Sequence, residues 1–271
     1  MMARKKYSSY YTKLVLILIL AVSVGLASNI VRRSGPKIID LTHWWDQKTL
    51  FPPTNIKNFT MNTYFRKTAT GVIYQSETIE LGTDGGTHMV SPAFLLKGRA
   101  TAARLPLDRL FLPMAVVDVS HHVVRDPNYQ LRIVDIKRWE DMHGKLPQGG
   151  LLMVNTGWSK RFWGDASKYF GTDKNYRKGK SMNYPGIHPE AAQWLVSQRR
   201  LFAVGIDTPA VDHGLSRKYE SQQILLSANV YLINNVDHVW ALPPAGATAF
   251  VFPMKIKQAA VVPIRLMALS P

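Results

Sequence analysis

The 271-residue chain contains no cysteine, so disulfide bonds, thiolate metal ligands and cysteine nucleophiles are all excluded. Acidic residues are scarce: 18 Asp and Glu stand against 34 Lys and Arg, which gives a formal net charge of +16. A charge of this size favours acidic partners or anionic membrane surfaces. No zinc-finger, RNP or basic-zipper pattern accompanies the basic residues, so we expect no nucleic-acid binding.

Only one long apolar run is present, and it lies at the N-terminus. Residues 14–27, LVLILILAVSVGLA, follow a leader that contains Arg4, Lys5, Lys6 and Lys13. A basic leader before such a run is typical of a secretory signal peptide. The stretch 14–31 carries no charge, which approaches the ~20 apolar residues that span a bilayer. We therefore predict that residues 1–36 are a signal peptide or a signal anchor, and both alternatives stay open.

Either kind of segment would direct the rest of the chain to the secretory pathway. We expect residues 37–271 to be extracellular, or membrane-anchored on the lumenal or extracellular side. The triplet Asn58-Phe59-Thr60 is a glycosylation sequon, which agrees with that location.

The sequence also lacks internal repeats, low-complexity tracts and any linker after about residue 37, so one domain is expected from 37 to 271. Apolar and β-branched runs predict strands at 38–42, 71–81, 115–120, 151–156, 202–206, 230–234, 247–256 and 263–269. The last two should form a hairpin. Apolar spacing and end signals predict helices at 134–143, 188–200 and 221–228. The fold class is therefore α/β, a single mixed domain with a β-rich core and flanking helices.

The segment expected to carry the chemistry is 82–98, GTDGGTHMVSPAFLLKG. Its glycines allow close approach of the backbone, and Asp84 and His88 lie in its middle. Ser91 follows His88 by three residues, but neither a nucleophile-elbow pattern nor an orienting acid accompanies it. The segment predicts a site built around Asp84 and His88 rather than a serine nucleophile.

This segment resembles the signature of the cyclase family, which includes bacterial kynurenine formamidase and isatin hydrolase: His-x-Gly-Thr-His-x-Asp-x-Pro-x-His. Other blocks resemble the family too, namely IDLTH at 39–43, NTGW at 155–158, YPGI at 184–187, GIDTPAVD at 205–212, and most of the C-terminal third. The resemblance covers the chain from about residue 38 onward. It implies the family's fold, hydrolysis of amide bonds, and a divalent metal, Zn or Mn, if the site is active.

The resemblance also places most of the family's metal-binding positions on side chains that bind metal poorly. In chain order, the family's His, His, Asp, His, His and Glu fall on Asp84, His88, Val90, Phe94, Gln222 and Asn234. Valine and phenylalanine have no lone pairs to donate, and neutral amide oxygens bind zinc weakly. Asp84 and His88 would form a weak two-ligand remnant at best.

These replacements predict a non-catalytic member of the family, a pseudoenzyme that acts as a binding or scaffold protein with no cofactor and no assigned catalytic residue. The alternative is an active metal-dependent hydrolase of formamide or cyclic-amide C–N bonds. Such an enzyme would be arylformamidase-like, acting between tryptophan and kynurenine with a rearranged site. The expected partners are a second copy of the chain, a membrane assembly, or an acidic partner or anionic membrane surface.

Overall fold

The computed structural model describes residues 35–53, 57–172 and 182–271. Nearly all of the predicted signal or anchor segment, residues 1–36, lies outside these ranges. Residues Lys37–Pro271 form one compact unit. Among the described residues, no helix combines the length and apolarity needed to cross a membrane.

The described ranges contain twelve strands and six α-helices. The strands are β1 (Lys37–Asp40), β2 (Thr60–Lys67), β3 (Ile73–Glu80), β4 (His88–Val90), β5 (Phe111–Asp118), β6 (Gln130–Leu131), β7 (Leu151–Asn155), β8 (Gly186–Ile187), β9 (Ala203–Ile206), β10 (Tyr231–Asn234), β11 (Ala247–Pro253) and β12 (Val261–Ser270). The helices are α1 (Ser120–Val123), α2 (Ile133–His143), α3 (Trp158–Phe162), α4 (Ala166–Tyr169), α5 (Pro189–Gln198) and α6 (Glu220–Ser227).

Eight strands form one sheet in the order β1-β12-β11-β5-β7-β9-β10-β4, and β4 also pairs with β12. This second pairing closes seven of the strands into a barrel. Strands β5, β7, β9 and β10 run parallel to their neighbours within that set, whereas β4, β11, β12 and β1 pair antiparallel. Parallel neighbours need crossover connections. The longer helices α2, α5 and α6 lie in those connections.

The sheet separates two hydrophobic cores. One fills the barrel interior and includes Met89, Met153 and Ile233. The other lies between the sheet and the helices and includes Leu232 of β10 and Leu195 of α5. Because side chains alternate along a strand, the side chain of every second residue on β10 faces the helices.

The structure contains the eight predicted strands and the three predicted helices within a few residues of the expected bounds, including the β11–β12 hairpin. Four strands were not predicted: β2, β4 and the two-residue strands β6 and β8. Every residue of β2 is exposed, so its sequence lacks the alternation that a half-buried strand produces. Strand β4 lies inside the glycine-rich segment 82–98 and has only three residues, too few to produce an alternating pattern.

Candidate functional site

Three of the family-motif positions project from one face of the sheet, toward the helices. His88 of β4 is the direct antiparallel partner of Asn234 at the end of β10, and Val90 is the partner of Leu232. Since side chains two residues apart share a face, His88, Val90 and Asn234 lie together on the side of Leu232. Gln222 lies in the first turn of α6, which packs against β10.

Gly86 determines which nitrogen of His88 carries the proton. The Gly86 carbonyl lies 2.9 Å from His88 Nδ1, and a carbonyl can only accept, so Nδ1–H is the donor. Gly86 has φ +51, a left-handed conformation that favours glycine and turns this carbonyl toward the ring. The lone pair is therefore on Nε2.

The lone pair of His88 Nε2 faces an amide. Asn234 Nδ2 lies 3.3 Å from Nε2 and donates to it, and both side chains are only 3% exposed. Burial lowers the pKa of His88, while the hydrogen bond to Gly86 and the nearby charge of Asp84 oppose that lowering. The site thus holds a neutral imidazole whose acceptor nitrogen is already hydrogen-bonded.

The remaining motif positions supply little chemistry. Val90 is buried in the helix-side core, and Phe94 is 47% exposed at the end of a short 3₁₀ turn. Gln222 is buried, but the structure places no hydrogen bond between its side chain and any described residue. Asp84 is half-buried and influences His88 through its charge alone.

These residues do not fit a catalytic zinc or manganese ion. Such an ion needs about three strong ligands together with an open position for water. Within the described ranges, no three His, Asp or Glu side chains are arranged to hold a metal. Asn234 Oδ1 is buried and accepts no hydrogen bond from described residues, but a neutral amide oxygen cannot balance the charge of the cation.

A second polar cluster lies beside the first and was not predicted. His43 Nε2 accepts from Ser159 Oγ at 2.8 Å, and His43 Nδ1 lies 3.3 Å from Asp237 Oδ2. The order of groups is that of a nucleophile, a base and an acid. However, Ser159 is only 2% exposed, and Trp163 stacks on the His43 ring with centroids 3.6 Å apart. Because no substrate can reach a serine so covered, the cluster is a structural clamp.

The clamp is connected to the segment that carries His88. The His43 backbone N–H donates to Thr87 Oγ1 at 3.0 Å, and Thr87 Oγ1 donates to the Asn235 carbonyl at 2.7 Å. Asn235 Nδ2 in turn donates to the Gly86 carbonyl at 2.8 Å, the same group that orients His88. The clamp therefore holds the end of β10 and the start of β4 in register.

Two buried aspartates of the GIDTPAVD block, Asp207 and Asp212, accept hydrogen bonds from backbone N–H groups near the site. Asp207 Oδ1 accepts from both the backbone N–H and the hydroxyl of Thr156, at 2.9 and 2.6 Å. Asp212 accepts the backbone N–H groups of Ser221 and Gln222, at 2.9 and 3.0 Å, at the start of α6. Burial raises the pKa of each carboxyl to about 6, although the hydrogen bonds oppose that rise. Asp212 thus positions Gln222 through the backbone.

The clamp makes a prediction about pH. Burial, together with the nearby charge of His238, lowers the pKa of His43 from 6.5 to about 3. Below pH 6.5 His43 is therefore protonated in the unfolded chain but stays neutral in the folded chain. The free energy of unfolding decreases as the pH falls. We expect the stability advantage of the wild type over His43→Gln to shrink by about 2 kcal/mol between pH 7 and pH 5.

Denaturant unfolding of both proteins at the two pH values measures this difference. The matched control is His121→Gln, which removes an exposed histidine outside the clamp and so tests whether the loss of any histidine produces the same effect. An advantage that stays constant with pH would show that His43 is not held neutral.

A model of the family named Cyclase, described as "Putative cyclase", matches residues 39–213, well over half of the chain. The matched range contains the segment with Asp84 and His88 and ends before Gln222 and Asn234.

Individual relatives agree with this match. An isatin hydrolase of Roseibium aggregatum is 28% identical to the chain over 199 residues, which cover 70% of this chain and 73% of the relative. The structure of isatin hydrolase A from Labrenzia aggregata bound to benzyl benzoate superposes with a TM-score of 0.78, at 23% identity, over 92% of this chain and 99% of that chain. A structure described as a potential metal-dependent hydrolase with cyclase activity superposes with a TM-score of 0.63, at 18% identity, over 88% and 99%. These two structures show the fold, and they confirm the predicted single mixed α/β domain.

Proposed function

Since the chain belongs to the cyclase family, we propose that it keeps the family's isatin hydrolase-like scaffold and acts as a binding or scaffold protein without a catalytic metal. By the family resemblance, five of the six metal-binding positions carry a different residue, and four of these, Val90, Phe94, Gln222 and Asn234, have side chains that bind zinc poorly or not at all. A hydrolase of this type needs a metal-bound water whose pKa is lowered to about 7. The remaining pair, Asp84 and His88, cannot provide that.

The observation that carries the proposal is the contact between His88 Nε2 and the Asn234 amide, at 3.3 Å. A metal would have to take the same lone pair. It would then displace a buried amide N–H and leave it without an acceptor, which costs about 1–3 kcal/mol. The acceptor nitrogen of His88 and one N–H of the Asn234 amide therefore satisfy each other without a metal.

The proposal includes a location outside the cytoplasm. Its support is the sequence of residues 1–36, in which a basic leader precedes the apolar run 14–27. A secreted or membrane-tethered domain with a formal charge of +16 would associate with acidic partners or with an anionic membrane surface.

An active hydrolase is the second candidate, and the relatives favour it. One relative is an isatin hydrolase, and one structural neighbour is described as a potential metal-dependent hydrolase. If the present chain shared that activity, Asp84 and His88 would have to hold the metal with water molecules. The candidate therefore requires that His88→Ala abolish turnover.

Hydrolysis of isatin and of N-formylkynurenine by the purified full chain separates the two candidates. A working enzyme accelerates its reaction at least about 10⁶-fold. We expect no hydrolysis above the metal-only blank with added Zn²⁺ or Mn²⁺, and no difference between the wild type and His88→Ala. The exposed residue His121 supplies the control variant His121→Ala. Metal-dependent turnover that is lost in His88→Ala and kept in His121→Ala would establish the hydrolase instead.

A further inference from the structure

The helices cover the outside of the barrel sheet only in part. The outward side chains of β7, β9 and β10, such as Leu152, Val204 and Leu232, belong to the core beneath the helices. The outward side chains of β1, β11, the second half of β12 and the start of β5 belong to neither hydrophobic core. This part of the sheet therefore presents a bare face.

Strand register shows that the bare face is one continuous surface. Residues that pair directly share a face of the sheet, and faces alternate along each strand. The pairings of β1 with β12, β12 with β11 and β11 with β5 join its apolar side chains, which are Ile38, Phe111, Phe250, Phe252, Met267 and Leu269. These six residues are called the outer apolar face here.

The outer apolar face is strongly exposed at both ends. Ile38 is 72% exposed, Phe111 47% and Phe252 44%. The Phe111 ring meets the rings of Phe250 and Phe252 edge to face, with centroids 5.4 and 6.1 Å apart. Contiguous exposed apolar side chains of this kind mark a site of interaction with a protein or a membrane.

We propose that the outer apolar face lies on the surface of an anionic membrane. The inference rests on the proposed function, in which residues 1–36 tether the domain to a membrane. The choice of a membrane over a protein partner rests on two observations: the place where the tether joins the domain, and the charges around the face.

The tether joins the domain at the outer apolar face itself. Strand β1 begins at Lys37, and the next residue, Ile38, is a member of the face. Only residues 32–36 separate β1 from the uncharged stretch 14–31. The six residue steps from Val31 to Lys37 span at most about 22 Å. A membrane that holds the stretch 14–31 is therefore within reach of the face.

The margins of the face are basic. Arg32 and Arg33 lie between the uncharged stretch and β1. Beyond Phe252, the β11–β12 hairpin ends in residues 254–257, MKIK, and all four are exposed. Basic residues that alternate with exposed apolar ones are typical of segments that bind anionic membrane surfaces.

The acidic side chain on this face is neutralised. Asp40 lies beside Met267, and its carboxylate accepts a hydrogen bond from Arg265 Nε at 3.1 Å. The Arg265 guanidinium and the Asp40 carboxylate together carry no net charge, so the face does not repel anionic lipid.

This orientation makes the two sides of the barrel differ in their distance from lipid. Helix α6 packs on β10, which lies across the barrel from β11, and α5 packs on α6. The helices α5 and α6 should therefore point away from the membrane, while β11 lies against it.

The lack of native cysteine allows a fluorescent NBD label to be attached at single positions. Thr248→Cys places the label on the bare face, between Leu269 and Pro113. The control Ser197→Cys places it on an exposed position of α5. The full chain would be reconstituted in phosphatidylcholine vesicles with about one third phosphatidylglycerol and a spin-labelled lipid. The label at 248 should lie roughly 5–10 Å below the membrane surface and be quenched, and the label at 197 should not be.

Two further variants test the part played by the apolar side chains. Phe252→Glu adds a charge to the outer apolar face and should remove most of the quenching at position 248. Met142→Glu adds the same charge at an exposed apolar residue of α2 and should leave that quenching unchanged. Equal effects of the two variants would contradict the proposed contact. Vesicles without phosphatidylglycerol should give weaker quenching at position 248.

Alkaline carbonate extraction of the vesicles reports on the tether separately. A chain that carbonate releases has no retained anchor, which overturns the tether and the docking together. A chain that stays in the vesicles but shows equal quenching at 248 and 197 overturns the docking alone. Blue-shifted emission at 248 without quenching would place protein rather than lipid on the face, and would also overturn the proposal.

Discussion

Restoring three of the family's residues, by Asp84→His, Val90→Asp and Asn234→Glu together, should make the stability of the protein depend on zinc. Asp84→His and Val90→Asp add an imidazole and a carboxylate next to His88. Asn234→Glu removes the amide that donates to His88 Nε2. We expect the free energy of unfolding to rise by about 2.7 kcal/mol when free zinc is 100 times its dissociation constant. Without zinc, a carboxylate buried at position 90 should cost about 3 kcal/mol.

Thermal and denaturant unfolding with and without zinc measure both effects. The wild type should show no zinc-dependent stabilisation. Adding His88→Ala to the restored variant should remove most of its response, because the central ligand is lost. If zinc stabilises the wild type as much as the restored variant, the native residues already hold the metal.

Asp212→Ala should destabilise the protein by about 3 kcal/mol at pH 5. The substitution leaves the buried N–H groups of Ser221 and Gln222 without acceptors at the start of α6, and each lost bond costs about 1–2 kcal/mol. Because burial raises the pKa of Asp212 to about 6, its contribution to stability is larger below that pH. Removal should therefore cost about 1.4 kcal/mol less at pH 7 than at pH 5.

Asp165→Ala is the matched control for this prediction. Asp165 also accepts a backbone N–H at a helix start, from Lys168 at 3.1 Å, but it is exposed. Its removal should cost much less stability than the removal of Asp212. Urea unfolding at pH 5 and pH 7 compares the variants. Equal losses for the two aspartates would mean that Asp212 does not hold α6 in place.

Most of the fold could be predicted from the sequence because its core strands are continuous apolar runs, such as LLMVN in β7 and AVGI in β9. The family resemblance then implied one known fold for these elements. Strand β2 is different: its partner β3 was predicted, but β2 is exposed along its whole length. A strand that buries neither face has no alternation of apolar and polar residues to reveal it.

The candidate site could be predicted as a set of positions, but its internal bonds could not. Motif spacing placed Asp84, His88, Val90, Gln222 and Asn234, and the β4–β10 register brings His88 and Asn234 into contact. The Asn234 amide donates to His88 Nε2 because the proton of His88 is on Nδ1. The carbonyl of Gly86, a glycine with a left-handed backbone conformation, accepts that proton and so fixes it there. Such a bond is decided by three-dimensional geometry, which spacing does not encode.

The clamp formed by His43, Ser159 and Asp237 is a clearer case. Its members are 116 residues apart between His43 and Ser159, and they come from three separate sequence blocks. His43 ends one family-like block and Ser159 directly follows another, yet nothing in either block indicates that the three side chains meet. Only the closure of the barrel, which brings the segment after β1 beside the ends of β7 and β10, creates the contact.

The metal content of the wild-type protein tests the central claim most directly. The full chain would be produced with Zn²⁺ and Mn²⁺ in the medium, purified without chelators and measured by elemental mass spectrometry. With the lone pair of His88 engaged by Asn234, the metal-to-protein ratio should be far below one and should be the same in His88→Ala. One tightly bound ion per chain, lost in His88→Ala, would contradict the account.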